Sequence, residues 1–210
     1  MNKLQDVHLV TGLHGNEPMP ILALASQGIT QLVANPRALA QRVRYIETDM
    51  NAAFGVSGNL LEEKRAREFL PLLEKNVPVI DFHTFSCVSE PFGIVVDLEM
   101  VGLAKQLGLS KVVYMKHNVK EGHALINYRK GVSVEVGKHT DPTTFAKTLD
   151  VVKSYQKGKL GTVEVFEVFG IIEKEGNYKN FELHKEGFYP VLAGEKAYNH
   201  FGLMARRLDL

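Results

Sequence analysis

Val7-His8-Leu9-Val10-Thr11-Gly12-Leu13-His14-Gly15-Asn16-Glu17 opens the chain with a β-branched apolar run that passes directly into a glycine-bounded polar loop. Such a run reads as a buried strand, and the loop then sits at the strand's C-terminal end. Pro18 and Pro20 suit a first helical turn, and Ile21 to Val33 keeps helix-compatible spacing, interrupted by Gly28. The opening unit is therefore strand, loop, helix.

Reading outward, the unit recurs. Asn35-Pro36 breaks the helix, Val43 to Glu47 reads as a short strand, and Glu62 to Glu74 as an amphipathic helix. Val77 to Phe82 is again a buried strand, with Asp81 and His83 at its end. Strands are predicted at Gly93 to Val96, Lys111 to Met115 and Val132 to Val136, and helices near Val101 to Leu107 and Thr143 to Gln156. Alternation of this kind argues for an α/β fold: a mainly parallel sheet flanked by helices, with its site at the strands' C-terminal ends. After Lys157 the texture changes. Thr162 to Ile172 alternates like a strand, and short segments follow at Phe181 to Leu183 and Tyr189 to Leu192. The expected organisation is a catalytic α/β domain over 1–157 and a small C-terminal β region over 158–210.

Composition limits the partners. The 210 residues suffice for one sizeable core, and 25 Lys and Arg against 24 Asp and Glu give a net charge of +1. That balance supplies no field for nucleic acid or an anionic membrane. No apolar run is long enough to span a bilayer, and Met1 to Asp6 lacks a leader pattern, so the expected location is cytoplasmic. The single cysteine, Cys87, forms no internal disulfide and reads as a buried or idle thiol.

His14 and Glu17, three residues apart on the Gly12–Gly15 loop, can converge on one ion, although such a pair also arises by chance on surface loops. Asp81-Phe82-His83 adds a second imidazole, because period-2 alternation puts Asp81 and His83 on one side of a strand end. Two histidines and one carboxylate make a catalytic zinc set with a fourth position left for water, whereas structural zinc is usually closed and often bound by thiolates. Glu135, a carboxylate inside the apolar strand Val132 to Val136, fits either an edge-strand or salt-bridged glutamate or a general base. His117, His123, His139, His184 and His200 lack ligand spacing and read as surface or packed residues.

Taken together, Gly12-Leu13-His14-Gly15-Asn16-Glu17, Asn35-Pro36-Arg37-Ala38, Arg44 to Asn51, Asp81-Phe82-His83-Thr84 and Val134-Glu135-Val136-Gly137 resemble the succinylglutamate desuccinylase and aspartoacylase family, relatives of the zinc carboxypeptidases. The resemblance implies a zinc carboxypeptidase-like fold, one Zn2+ held by His14, Glu17 and His83, and Glu135 as general base and then general acid. It also implies that Arg44 steadies the oxyanion and that Asp49 accepts a hydrogen bond from His14. The implied activity is deacylation, cleavage of the amide bond of a small N-acylated amino acid.

Two departures qualify what the resemblance implies. The family's usual Asn-Arg pair reads Asn51-Ala52 here, so Asn51 matches and the carboxylate-clamping arginine is missing. Arg37, Tyr128, Arg129 and Lys130 are the candidate replacements. The C-terminal β region is also short for the family, which implies either a site open to bulkier acyl groups or one completed by a partner subunit in a homo-oligomer. Two other readings of the same residues stand beside the deacylase: a small metallocarboxypeptidase-like peptidase, and a zinc-binding regulatory protein without efficient catalysis.

Overall fold

The computed structural model describes residues 3–116, 119–158 and 160–210. His117 and the first two residues of the Met1 to Asp6 segment lie outside them. Among the described residues nine strands form one sheet in the order β2-β1-β3-β6-β4-β5-β7-β9-β8. They are β1 (His8–Thr11), β2 (Leu32–Val33), β3 (Val79–Phe85), β4 (Phe92–Val95), β5 (Lys111–Tyr114), β6 (Gly131–Lys138), β7 (Glu164–Ile171), β8 (Tyr189–Val191) and β9 (Leu203–Leu208). β2, β1, β3 and β6 run parallel to one another, as do β4, β5 and β7. The two parallel blocks meet antiparallel at β6 and β4, and β9 and β8 are added antiparallel beyond β7. Residues after 158 therefore extend the same sheet.

Alternation along the strands sorts the core onto two faces. Leu9, Ile80, Phe82, Val132 and Val134 meet Leu24 of α1 (Pro18–Ser26) and Val151, Val152 and Tyr155 of α6 (Thr143–Lys157). On the other face Val10 and Val79 pack with Met50, Phe54, Leu125 of α5 (Leu125–Tyr128), and Ala66 and Phe69 of α3 (Leu61–Phe69). Phe85, Phe92 and Phe166 gather Phe181, Val191 and Leu192 into a third cluster that ties the late strands to the sheet. Short helices α2 (Pro36–Gln41) and α4 (Val101–Gln106) complete the layers. No helix among the described residues is long and apolar enough to cross a membrane.

Several predicted elements differ from the observed ones. The first helix stops at Ser26, since Gly28 adopts φ +62°, and the chain turns so that Leu32–Val33 becomes strand β2. The helix predicted to run to Glu74 ends at Phe69 and passes into a 3-10 turn containing Pro71. Val43 to Glu47 forms no strand. The buried carboxylate of Glu62 takes the amides of Ile46, Glu47 and Thr48 at 2.7, 3.1 and 3.1 Å, so two of the donors that a neighbouring strand would need point at a side chain. Phe181 to Leu183 is likewise a turn, with Phe181 at φ +64°.

Candidate active site

The ends of β1 and β3 bring the residues together. After β1, Gly12 turns the chain with φ +63°, and Gly15 lies so close to α2 that an added Cβ would stand 2.1 Å from the Ala38 carbonyl carbon. This packing, with Gly15 N–H donating to the Arg44 carbonyl at 3.1 Å, fixes the loop that carries His14 and Glu17. On the sheet, the parallel register sets His83 beside Glu135 and Asp81 beside Ser133, so all four side chains leave one face.

His14, Glu17 and His83 are buried, and their candidate ligand atoms lie within 4.8 Å of one another. His14 Nδ1 is 2.7 Å from Glu17 Oε1 and His83 Nδ1 is 3.4 Å from Glu17 Oε2. The outward nitrogens are both taken by carboxylates. His14 Nε2 lies 2.9 Å from Asp49 Oδ1, and His83 Nε2 lies 2.7 Å from Asp81 Oδ2, which also accepts from Ser133 Oγ at 3.1 Å. With each Nε2–H donated to an aspartate, both Nδ1 atoms are left facing the buried Glu17 carboxylate, a position that a cation held between them would also satisfy. Two imidazoles and one carboxylate, without thiolate, fit a divalent metal of the zinc type.

Electrostatics reinforce that fit. Burial opposes charge on His14 and His83, yet Glu17 with Asp49, and Asp81 with Glu17, outweigh it and raise both pKa values. Burial also opposes the Glu17 carboxylate, but the two histidines hold it well below the usual range; His14, Lys120 and Arg44 do the same for Asp49. Glu135 behaves in the opposite way. Burial, with Glu17 and Glu195 nearby, pushes it up to about 7 against the pull of His83 and His14. Its Oε2 is sealed from solvent and has no hydrogen-bond partner, a costly state for a carboxylate oxygen unless a ligand or water belongs there.

Arg44 closes one side. Its Nη2 donates to Asp49 Oδ2 at 3.2 Å and its Nη1 is 3.8 Å from Glu17 Oε1. Asn51 is buried nearby, its amide N–H donating to Asp49 at 2.9 Å and its side-chain oxygen accepting from Leu125 N–H at 3.0 Å. The other expected substrate residues are not brought to this group. Arg37 is exposed at the start of α2, on a surface cleft lined also by Ile46, Glu62 and Arg65. Tyr128 lies over Gly55 and packs on Phe54. Arg129 donates to the carbonyls of Leu70, Leu73 and Tyr128, and Lys130 pairs with Glu99 on the surface.

Four contributors escaped the sequence reading. Asp81 was legible as sharing a face with His83 but not as its hydrogen-bond partner. Lys120 reaches Asp49 Oδ2 at 3.2 Å from a segment far along the chain. Tyr198 arrives from the loop between β8 and β9; burial and the Glu135 and Glu195 carboxylates raise its pKa, with Arg44 opposing. Glu195 itself is anchored by Ser86 N–H and Oγ–H at 2.7 and 2.9 Å. Cys87 is buried, and burial with Glu195 and Glu135 pushes its thiol up to about 12, which removes it as a nucleophile.

The family model described as "Succinylglutamate desuccinylase/Aspartoacylase catalytic domain" matches residues 3–157. A probable aspartoacylase of Prochlorococcus marinus (strain MIT 9301) is 30% identical over 122 residues, 53% of this chain and 38% of the relative, so the match spans well under two thirds of that protein. Among solved structures, murine aminoacylase 3 superposes with a TM-score of 0.73 at 17% identity, covering 96% of this chain and 95% of that one. A succinylglutamate desuccinylase from Vibrio cholerae gives 0.69 at 15% identity, covering 97% and 82%. At these identities the superpositions establish the shared fold.

Proposed function

Since the chain belongs to the succinylglutamate desuccinylase/aspartoacylase family, we propose that it is a zinc-dependent deacylase that hydrolyses the amide bond of an N-acylated amino acid. The observation that carries the reading is the partnerless, buried Oε2 of Glu135 beside a His-Glu-His set whose outer nitrogens are both held by aspartates.

In this reading His14, Glu17 and His83 hold the metal. Bound there, zinc supplies a lowered water pKa, to roughly 7, and a polarising charge for the scissile carbonyl. Asp49 and Asp81 orient each imidazole through its Nε2–H and strengthen its Nδ1 as a ligand. Glu135 Oε2 accepts the proton of the attacking water and returns it to the departing nitrogen; its raised pKa suits a group that must both take and give a proton near neutrality. Arg44 faces the developing oxyanion with a guanidinium that stays charged throughout. The products are a carboxylic acid and a free amine.

The test is elemental analysis of protein purified without chelator, with hydrolysis of N-acetyl and N-succinyl amino acids and of dipeptides followed on the same sample. About one zinc per chain with turnover of N-acyl amino acids supports the proposal. Preferential turnover of dipeptides would replace it with a peptidase, and zinc without turnover of any amide would replace it with a metal-binding role.

A further inference from the structure

Asp49 takes four donors on its two oxygens. Oδ1 accepts from His14 Nε2 and Asn51 N–H, and Oδ2 accepts from both Arg44 and Lys120 at 3.2 Å. One carboxylate thus faces two permanent side-chain cations, of which Arg44 also has Glu17 within reach. Arg44 is turned inward, toward Glu17 as well as Asp49. Among the described residues, Asp49 is the carboxylate paired with Lys120: the ammonium lies 5.7 Å over the Tyr198 ring, its side chain is 28% exposed, and Asp49 occupies one of its three N–H donors.

The position is built. Lys120 and Glu121 are consecutive non-glycine residues with φ of +48° and +56°, a conformation that costs free energy and persists only where surroundings impose it. The surroundings here are visible. Phe54 N–H donates to the His123 carbonyl at 3.2 Å, His123 Nδ1 lies 2.9 Å from the Phe54 carbonyl, and Leu125 N–H donates to Asn51 at 3.0 Å. These three bonds fasten the segment holding Lys120 against Asn51 and Phe54, which flank the uncharged Ala52.

We infer that Lys120 is the specificity-determining cation of this site, binding the α-carboxylate of the amino-acid part of the substrate. The inference rests on the deacylase reading. Among such substrates every one carries an α-carboxylate, whereas the acyl chain need not be charged, so a fixed cation at the mouth with open donors matches the group common to all. A lysine is a point charge with rotatable donors, so it selects for charge and tolerates variation in the angle of approach more than a planar fork would.

The experiment compares N-acetyl and N-succinyl amino acids with their α-carboxamides on the zinc-loaded wild type, Lys120→Met, Lys120→Gln and Lys120→Arg. The expected wild-type preference for the acid is about tenfold or more in kcat/KM. It collapses toward unity in both neutral variants, through KM with kcat little changed, and is largely restored by Lys120→Arg. Calorimetric binding of the acids to Glu135→Gln, with and without Lys120→Met, gives the same comparison without turnover, and zinc content and unfolding temperature identify any variant that merely misfolds. A wild-type preference near unity, or one that survives Lys120→Met and Lys120→Gln, overturns the inference while leaving the deacylase reading standing. Failure of the wild type to bind or hydrolyse any N-acyl amino acid removes both together.

Discussion

The two halves of the site are built by different means. One half stands on adjacent strands: Asp81 and His83 on β3, Ser133 and Glu135 on β6, their relative positions set by a parallel register buried on both faces. The other half stands on connections: His14 and Glu17 on the loop after β1, Arg44 and Asp49 on an irregular segment, Lys120 and Tyr198 on turns from later in the chain. A strand register cannot slip by one residue without turning Asp81, His83 and Glu135 to the opposite face. The connections are held one by one, by Glu62 under residues 46–48, by Gly15 against Ala38 and by His123 on Phe54. The strand half is therefore fixed as a unit, whereas the residues of the loop half can be altered piece by piece.

Substitutions can break that contrast. Glu135→Gln should have the largest effect, lowering kcat by about 10²–10⁴-fold while zinc content stays near the wild-type level; equal loss of metal would mean that the strand carboxylate acts on the ligands instead. On the loop side, Arg44→Met should lower kcat by about 10²–10³-fold with a small change in KM, and an effect confined to KM would reassign Arg44 to binding. The two aspartates permit a direct comparison. Asp81→Asn and Asp49→Asn should each weaken zinc affinity by about 10–100-fold in a chelator competition, with Asp49→Asn alone also degrading acid-over-carboxamide selectivity, since only Asp49 touches Arg44 and Lys120.

The smallest expected effect sharpens the comparison through stability. Burial opposes the Glu62 carboxylate, but the amides of Ile46, Glu47 and Thr48 and the side chain of Asn35 hold its pKa below the ordinary value. A carboxylate depressed on folding stabilises above its unfolded pKa of about 4.3 and loses that contribution as pH falls toward its folded pKa. Glu62→Gln should therefore lower stability by roughly 1–2 kcal/mol at pH 7, and the gap to wild type should narrow in denaturation curves taken below about pH 4. A gap independent of pH would locate the effect in packing.

The sequence was most readable where burial and period agree. The centres of β1, β3 and β6 are apolar runs, so both the strands and the anomalous Asp81, His83 and Glu135 stood out. Val43 to Glu47 had strand composition but lost its ladder donors to a side chain 14–16 residues away, which no local pattern shows. Arg129 looked like a free cation because the three carbonyls that it fills lie partly on another turn. Lys120 and Tyr198 were unreadable for the same reason in reverse: Lys120 meets Asp49 across 71 positions, and neither residue sits in a pattern that marks it. The resemblance supplied Arg44 and Asp49, which spacing alone would have left as a solvated arginine and a turn residue.

The ends of the sheet have a consequence of another kind. A nine-stranded sheet has two free borders, and an exposed row of backbone donors and acceptors is the usual template on which chains stack into insoluble aggregates. Here the borders are β2, two residues long, and β8, three residues long with Pro190 at its centre. Neither offers enough consecutive amides to seed a foreign strand, so the long, hydrophobic interior strands are shielded from self-templating by the brevity of the outermost ones.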